Sequence, residues 1–410
     1  MSEPIAVERA LSIVLEATPV LPFESIDTDQ ALGRWLQEEI KADRDHPDFD
    51  KSLMDGYAVV AADLERDLRP LRVVQEIPAG TDPAGLRAVR PGGASRIMTG
   101  APIPPGADAV LIVEETEGVE GDPESVRPKS AVRAGANIAR RGADVRSGEV
   151  LLRAGEFIGA AEMGVIAACG RTRVRAGGRP RLAVLATGDE LVEPENAPGP
   201  GQIRNSNGPV LRALALRAGA VTRYLGIAPD DERGLRLLIE DGLGDDVLVL
   251  SGGVSMGTRD LVGQTLRSLG VEILFDRVAI RPGKPFTFGR RGSALVFGCP
   301  GNPVSAYVIF QVFARAALRR MMGSAHPAPV PVRGVLKTPV RQRPGRAGYL
   351  QARAAWAGGA YEVEVIPSSG SADFVSSARG NSLAILPPDV TSLPAGASIE
   401  TLLLDDQPDR

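Results

Sequence analysis

The chain is predicted to be a multidomain α/β plus β protein, with a doubly wound parallel-sheet central domain, an inserted β-domain, a helical N-terminal scaffold and a C-terminal β-barrel-like domain. Three observations predict this. From Arg181 to Met322 short apolar runs alternate with helical spacings, as strand-helix units on a parallel sheet do. Leu71 to Val150 and Val332 to Leu404 hold short strand-like runs separated by Gly, Pro and Ser. The 410 residues are 43% hydrophobic, enough for about two to four cores. The expected boundaries are 1–43 with 145–179 for the scaffold, 44–144 for the insert, 180–325 for the central domain and 326–410 for the last domain.

Bulk properties narrow the function. Two cysteines, Cys169 and Cys299, offer no disulfide framework and suit a reducing cytoplasm, and two histidines, His46 and His326, argue against a His-based metal site. Glu3, Glu8 and Arg9 stand where a secretory signal needs an apolar core, and no stretch approaches ~18 uninterrupted apolar residues, so neither export nor a membrane span is expected. A net charge of -4 without a Lys/Arg block argues against nucleic-acid binding. An anionic ligand therefore needs a local basic cluster.

In chain order, Ile5 to Ala17 and Gln30 to Ile40 carry helical spacing. The acidic loop after Lys41 runs through the turn Asp55-Gly56 into a strand at Tyr57 to Val60; spacing alone reads Asp55 as an ordinary tight turn. Strand-like runs follow at Leu71 to Val74, Ala109 to Val113 and Glu149 to Leu152. Thr99 sits in a strand-ending turn, and Arg133 to Arg146 is a basic loop, either solvated surface or an anion-contacting rim. Phe157 to Cys169 returns to helical spacing.

The central pattern reads as strand Leu182 to Leu185, helix Asn207 to Arg217, strand Val221 to Ile227, helix Glu232 to Glu240, strand Val247 to Leu250 and a helix through Leu261, Leu266 and Leu269. Ser251, Gly252, Gly253 and Ser255 lie in the turn after the third strand, where glycine permits close backbone approach and the next helix aims its N-terminus, a cradle for an oxyanion. Glu190, Asp230 and Asp260 each follow a predicted strand, so all three carboxylates can meet at one sheet edge. Asp260 either serves a metal or a proton there or only caps its helix. Arg281-Pro282-Gly283-Lys284-Pro285 is a stiff turn with two cations, the needed basic cluster or a plain surface loop, and Pro303 precedes Ser305 at the start of a helix to Met322. After the linker-like His326 to Pro331, five strand-like runs close the chain; Arg346 and Ser368 to Gly380 are their polar candidates.

SLMDGYAV, MTGAPIPPGAD, RRGADVRSGE, LATGDELV, IRNSNGPVL, LSGGVSMGTRD, RPGKP and CPGNPVSA together resemble, in order and over nearly the whole chain, the molybdopterin molybdenumtransferases, the family to which the C-terminal region of gephyrin belongs. In the last domain GSADFVSSARGNSLAILP carries the likeness, and Trp35-Leu36 departs from the family's Val-Leu-Ala. The resemblance implies an elongated, cytoplasmic homodimer that binds adenylylated molybdopterin and molybdate with Mg2+, inserts the metal and releases AMP, alongside other molybdenum cofactor biosynthesis proteins. It implies roles by position. Ser251, Gly252, Gly253 and Ser255 hold the pterin's anionic part; Glu190 and Asp260 ligate or polarise through the metal; Asp230 assists. Arg281, Lys284, Ser305, Arg346 and Ser371 hold molybdate, and Asp55 and Thr99 reach the cleft from the partner subunit. Two alternatives are a molybdopterin adenylyltransferase, which resembles only Arg181 to Met322, and a gephyrin-like anchoring scaffold.

Overall fold

The run Val247–Ser251 is buried at all five positions and lies inside a six-stranded sheet of the computed structural model, which describes residues 3–253, 261–368 and 370–404. Residues cluster into two compact units, the first of Met1–Glu38, Ala154–Met163 and Arg173–Arg410, the second of Glu39–Arg153 and Gly164–Thr172.

In the first unit the central sheet is built from β1 (Arg181–Thr187), β2 (Val221–Ala228), β3 (Val247–Ser251), β4 (Glu272–Phe275), β5 (Thr287–Arg291) and β6 (Ala294–Cys299), in the order β2-β1-β3-β6-β5-β4. The strands β2, β1, β3 and β6 run parallel. Leu182, Val184, Val247 and Val249 face a core with Leu211 and Leu214 of α1 (Asn207–Arg217). Their neighbours Ala183, Leu185, Leu248 and Leu250 face the opposite core, with Leu235 and Ile239 of α2 (Glu232–Gly242) and Val262 and Leu266 of α3 (Leu261–Ser268). Burial on both faces is why these strands read as continuous apolar runs. Each such Leu or Val contributes about 1.5–3 kcal/mol relative to exposure.

The sheet is mixed rather than wholly parallel as expected. Strands β5 and β4 pair antiparallel, because only Gly292 and Ser293 connect β5 to β6. A connection that short closes a hairpin and cannot cross over to a parallel partner. After β6, α4 (Pro303–Ile309), a π-helical turn at Phe310–Ala314 and α5 (Arg315–Met321) follow one another through the core of the unit.

Five further strands, β7 (Val332–Leu336), β8 (Ala347–Ala357), β9 (Ala360–Val365), β10 (Ser382–Leu386) and β11 (Ser398–Leu403), form a closed barrel in the order β8-β9-β7-β11-β10 and back to β8. Closure removes the free edges that a small sheet otherwise exposes. The short strand Ile280–Arg281 adds to β8 in parallel, pairing Arg281 with Gly348.

The second unit is a curled six-stranded sheet in the order Ala109–Ile112, Gly56–Val59, Gly93–Ile97, Leu71–Ile77, Asp122–Pro128, Thr116–Val119. The strands Thr116–Val119 and Asp122–Pro128 escaped the sequence reading, and of Gly93–Ile97 only the turn that ends it, at Thr99, was expected; GASRI is buried at four of five positions yet has no alternating or β-branched run to betray it. The expected helix Gln30 to Ile40 is replaced by a 3-10 turn at Thr28–Gln30 and extended chain. Gly33 takes φ 79, Trp35 and Leu36 bridge to Phe157 and Ala176, and buried Arg34 donates to the Gly177 carbonyl oxygen at 2.6 Å. Contacts with distant chain outweigh a local spacing. The expected first helix appears as Val7–Ala17 and the later one as Ala160–Ala168.

Candidate active site

Strand order reverses at β1, whose sequence neighbours β2 and β3 lie on opposite sides of it. At such a switch point the carboxyl ends of the strands diverge and open a crevice. A cleft of about 900 Å³ lies there, lined by Thr187 after β1, Ser251, Gly252 and Gly253 after β3, and Pro300, Gly301 and Asn302 after β6. Asn207, the first residue of α1, ties these ends together: its Nδ2 donates to Ser251 Oγ and to the Gly301 carbonyl oxygen, both at 2.7 Å.

Two glycines shape the floor. Gly252 takes φ 97 and Gly253 φ 66; a Cβ on Gly252 would lie 2.4 Å from the Thr187 carbonyl oxygen, and one on Gly253 2.7 Å from Thr187 Oγ1. The Thr187 hydroxyl is buried and has no hydrogen-bond partner among the described residues. A buried hydroxyl left unpaired costs about 1–3 kcal/mol, which a ligand oxygen at the cleft would offset. On the other wall Asn205 donates from Nδ2 to Tyr224 Oη at 2.7 Å, and Tyr224 donates to Glu193 at 2.9 Å. Burial, with the Glu193 carboxylate second, pushes the Tyr224 phenol well above its ordinary pKa and keeps it a donor.

Of the three expected carboxylates, Glu190 lines the cleft. Asp230 is absent from the lining; it exchanges hydrogen bonds with Asp189, its N–H donating to Asp189 Oδ1 at 3.0 Å and its Oδ2 accepting from the Asp189 N–H at 3.4 Å. It thereby braces the turn that carries Glu190. Asp260 and Ser255 lie outside the described residues.

Arg204 lines the cleft, but the expected cations fall elsewhere. Arg281 and Arg346 line a separate, open basin of about 620 Å³ together with Arg341, Gln342 and Arg343. Burial and then the charge of Arg281 pull the Arg346 guanidinium below its usual pKa. Lys284 is exposed, and it and the buried Ser305 line neither cavity. The carbonyl of Ser371 accepts from the Val304 N–H at 3.1 Å, while the following Ala372 and Phe374 line the cleft. Pro285 lines the cleft too, so the turn from Arg281 to Pro285 leads from the basin to the cleft. Thr187, Asn205 and Asn207 are the site residues that sequence reasoning missed, although they sit in the LATGDELV and IRNSNGPVL segments.

In the second unit Asp55 and Thr99 meet: Asp55 Oδ1 accepts from the Thr99 hydroxyl and N–H, both at 2.7 Å. The hydroxyl bond first and the N–H bond second hold the carboxyl below its ordinary pKa of 3.8. A depressed pKa adds stability above the unfolded value that is lost as pH falls through the folded one. In Thr99→Val the hydroxyl donor is gone, so Asp55 is expected to titrate closer to 3.8, read by NMR of its carboxyl carbon. An unshifted titration would mean the N–H alone sets it. The basic loop is neutralised by ion pairs, Arg140 with Asp50 and Arg141 with Asp45, each at 2.7 Å.

Among the described residues no three His, Cys, Asp or Glu side chains are grouped to hold a metal, and no helix is long and apolar enough to cross a membrane. Cys169 and Cys299 are free and buried; burial pushes the Cys299 thiol up to about 12.

Three family models match in sequence: MoeA N-terminal region (domain I and II) over residues 5–170, probable molybdopterin binding domain over 183–320, and MoeA C-terminal region (domain IV) over 333–404. The chain is 31% identical over 409 residues to a molybdopterin molybdenumtransferase of Staphylococcus epidermidis, covering 98% of this chain and 96% of that protein. It is 34% identical over 402 residues to molybdopterin molybdenumtransferase 1 of Mycobacterium tuberculosis, covering 92% and 93%. The crystal structure of a molybdopterin biosynthesis MoeA protein from Pyrococcus horikoshii OT3 superposes with a TM-score of 0.83 at 27% identity, over 98% of this chain and all of that one.

Proposed function

Because the chain belongs to the molybdopterin molybdenumtransferase family, we propose that it inserts molybdenum from molybdate into adenylylated molybdopterin and releases AMP, acting as a Mg2+-dependent cytoplasmic homodimer. One observation carries this reading: the turn from Arg281 to Pro285 joins an oxygen-lined cleft to an arginine basin. A phosphorylated pterin and a free tetrahedral oxyanion are both anions, but they need different surroundings. The first needs close backbone approach and hydroxyl or amide partners. The second needs fixed cationic donors to replace its hydration.

In this reading Gly252 and Gly253 bring the main chain against the phosphate-bearing part of the pterin, with Ser251 and Thr187 as hydroxyl partners and Asn207 fixing Ser251. Arg281 and Arg346 orient molybdate; Lys284, Ser305 and Ser371 remain assigned to it by family position. The polar groups of the cleft lining fit Mg2+: besides Arg204, whose Nε is held by main-chain carbonyls, they are the Glu190 carboxylate, hydroxyls and amides, with neither His nor Cys, oxygen donors that leave most ligand positions to water and phosphate. Glu190 and Asp260 would hold the ion, and Asp230 keeps the Glu190 turn in place. Mg2+, when bound, offsets phosphate charge. Asp55 and Thr99 complete the cleft from the partner subunit, and the molybdenum-loaded product passes to other cofactor biosynthesis proteins.

The test is to incubate purified protein with adenylylated molybdopterin, Mg2+ and molybdate. AMP release that depends on molybdate is expected. An adenylyltransferase would instead consume ATP with free molybdopterin, and a scaffold would do neither. Assembly is tested by mixing Asp55→Ala subunits with Glu190→Gln subunits. Mixed dimers carry one intact site if the cleft is shared, so part of the activity lost in each homodimer is expected to return. No recovery, with mixed dimers seen by native mass spectrometry, would rule the shared cleft out.

A further inference from the structure

We propose that Arg341 and Arg343 are oxyanion-capture residues: with Arg281 and Arg346 they form a four-guanidinium basin on which the tetrahedral dianion lands before it reaches the cleft. The inference rests on the transferase reading and adds two residues and a binding step to it.

The basin lining contains these four arginines and Gln342 and no carboxylate. None of the four is ion-paired among the described residues, whereas elsewhere neighbouring arginines share an acid, as Arg181 and Arg223 do Asp245. Like charges gathered without counterions repel: after burial, the charge of Arg281 is what lowers the Arg346 pKa. An ordinary solvated surface would spread such charges apart.

Here the backbone holds them together. Arg281 is fixed beside Gly348 by the pairing of Ile280–Arg281 with β8, which brings it next to Arg346. Arg341 is on the strand Val340–Arg341, paired with Ser392–Leu393. Gln342 pins the segment, its Nε2 donating to the carbonyl oxygens of Pro387 at 2.7 Å and Val390 at 2.9 Å. Arg281 itself donates from Nη1 to the Arg343 carbonyl oxygen at 3.1 Å, so one guanidinium positions the residue that bears another. The four side chains thus converge on anchored chain, leaving a cavity large enough for a hydrated tetrahedral ion.

Guanidinium suits this task because its planar fork meets two oxygens of an oxyanion at once. A dianion interacts with such a cluster twice as strongly as a chloride ion at the same place, which favours molybdate and related oxyanions over the bulk salt. Attraction of this kind acts over about 10 Å at moderate ionic strength and mainly raises the association rate. The outer pair, Arg341 and Arg343, is exposed and fit for capture. The half-buried pair, Arg281 and Arg346, is fit for holding.

The experiment uses the full chain carrying Arg341→Gln and Arg343→Gln, with its fold checked by circular dichroism. At low ionic strength the KM for molybdate is expected to rise roughly tenfold, while kcat at saturating molybdate stays within about twofold of wild type. The difference should shrink as salt is added, and Arg341→Lys with Arg343→Lys should recover most of the loss. An unchanged KM and salt dependence in the Gln variant would overturn the capture role, as would an equal fall in kcat. Calorimetry with molybdate and no pterin separates this from the activity itself. If wild type releases no AMP yet binds molybdate more tightly than the Gln variant, the transferase reading fails and the basin stands. If AMP release responds to molybdate identically in both, the basin fails and the transferase reading stands.

Discussion

Glu190→Gln is expected to lower the rate of molybdate-dependent AMP release by about a hundredfold or more while leaving the fold intact. The amide keeps the shape of the carboxylate and removes its charge. Among the described residues the Glu190 carboxylate accepts no hydrogen bond and makes no ion pair, so none of them depends on its charge. The turn uses only its backbone carbonyl, which accepts from the Ile203 N–H at 2.8 Å. Loss should therefore appear in chemistry and in the Mg2+ concentration giving half-maximal rate, with the thermal midpoint unmoved. Single-turnover AMP release at saturating pterin, repeated across a Mg2+ titration, reads both. Asp230→Asn is the internal contrast, because an amide oxygen still accepts from the Asp189 N–H and the turn survives. A Glu190→Gln enzyme as fast as wild type would remove Glu190 from the site.

Gly252→Val is expected to cost about 2–4 kcal/mol of stability and to abolish binding of the adenylylated pterin. The position combines φ 97 with a notional Cβ only 2.4 Å from the Thr187 carbonyl oxygen. A clash with backbone cannot be relieved by a rotamer, so β1 or β3 must shift, and both strand ends form the cleft. Gly253→Ala should be milder. Its φ of 66 is open to other residues at modest cost, and its nearest obstacles are side chains, Val262 at 2.5 Å and Thr187 Oγ1 at 2.7 Å, rather than backbone. Urea midpoints rank the two, and calorimetry with the pterin reports the cleft. A Gly252→Val midpoint equal to wild type would show that the turn does not require its left-handed residue.

Much of the architecture was legible because its cause is local. Strands β1, β3 and β6 are buried on both faces, so consecutive positions had to be apolar, and α1 emerged with the expected ends, Asn207 and Arg217. The barrel strands showed themselves through runs bounded by Gly, Pro and Ser. The antiparallel edge was harder to see, since ALVFGC is equally apolar whichever way its partner runs. The direction resided in the two-residue connection Gly292-Ser293. Gln30 to Ile40 misled for the opposite reason: a helical spacing was present, but Gly33 and the bridges of Trp35 and Leu36 decided the backbone.

The site divides in the same way. Sequence alone determined which chemistry the chain carries: its motif order marks the family, its glycines mark a turn open to close backbone approach, and Glu190 follows a predicted strand, whereas spacing read Asp55 only as a tight turn. Tertiary structure decided which side chains share a cavity. Thr187, Ser251 and Gly301 meet because parallel strands align their carboxyl ends, and Arg281 meets Arg346 because Ile280–Arg281 joins β8. Lys284, three residues from Arg281, lines neither cavity. Proximity along the chain constrains a side chain only through its local backbone, whereas strand pairing fixes neighbours far apart in sequence, and in this chain the second constraint assembled both cavities.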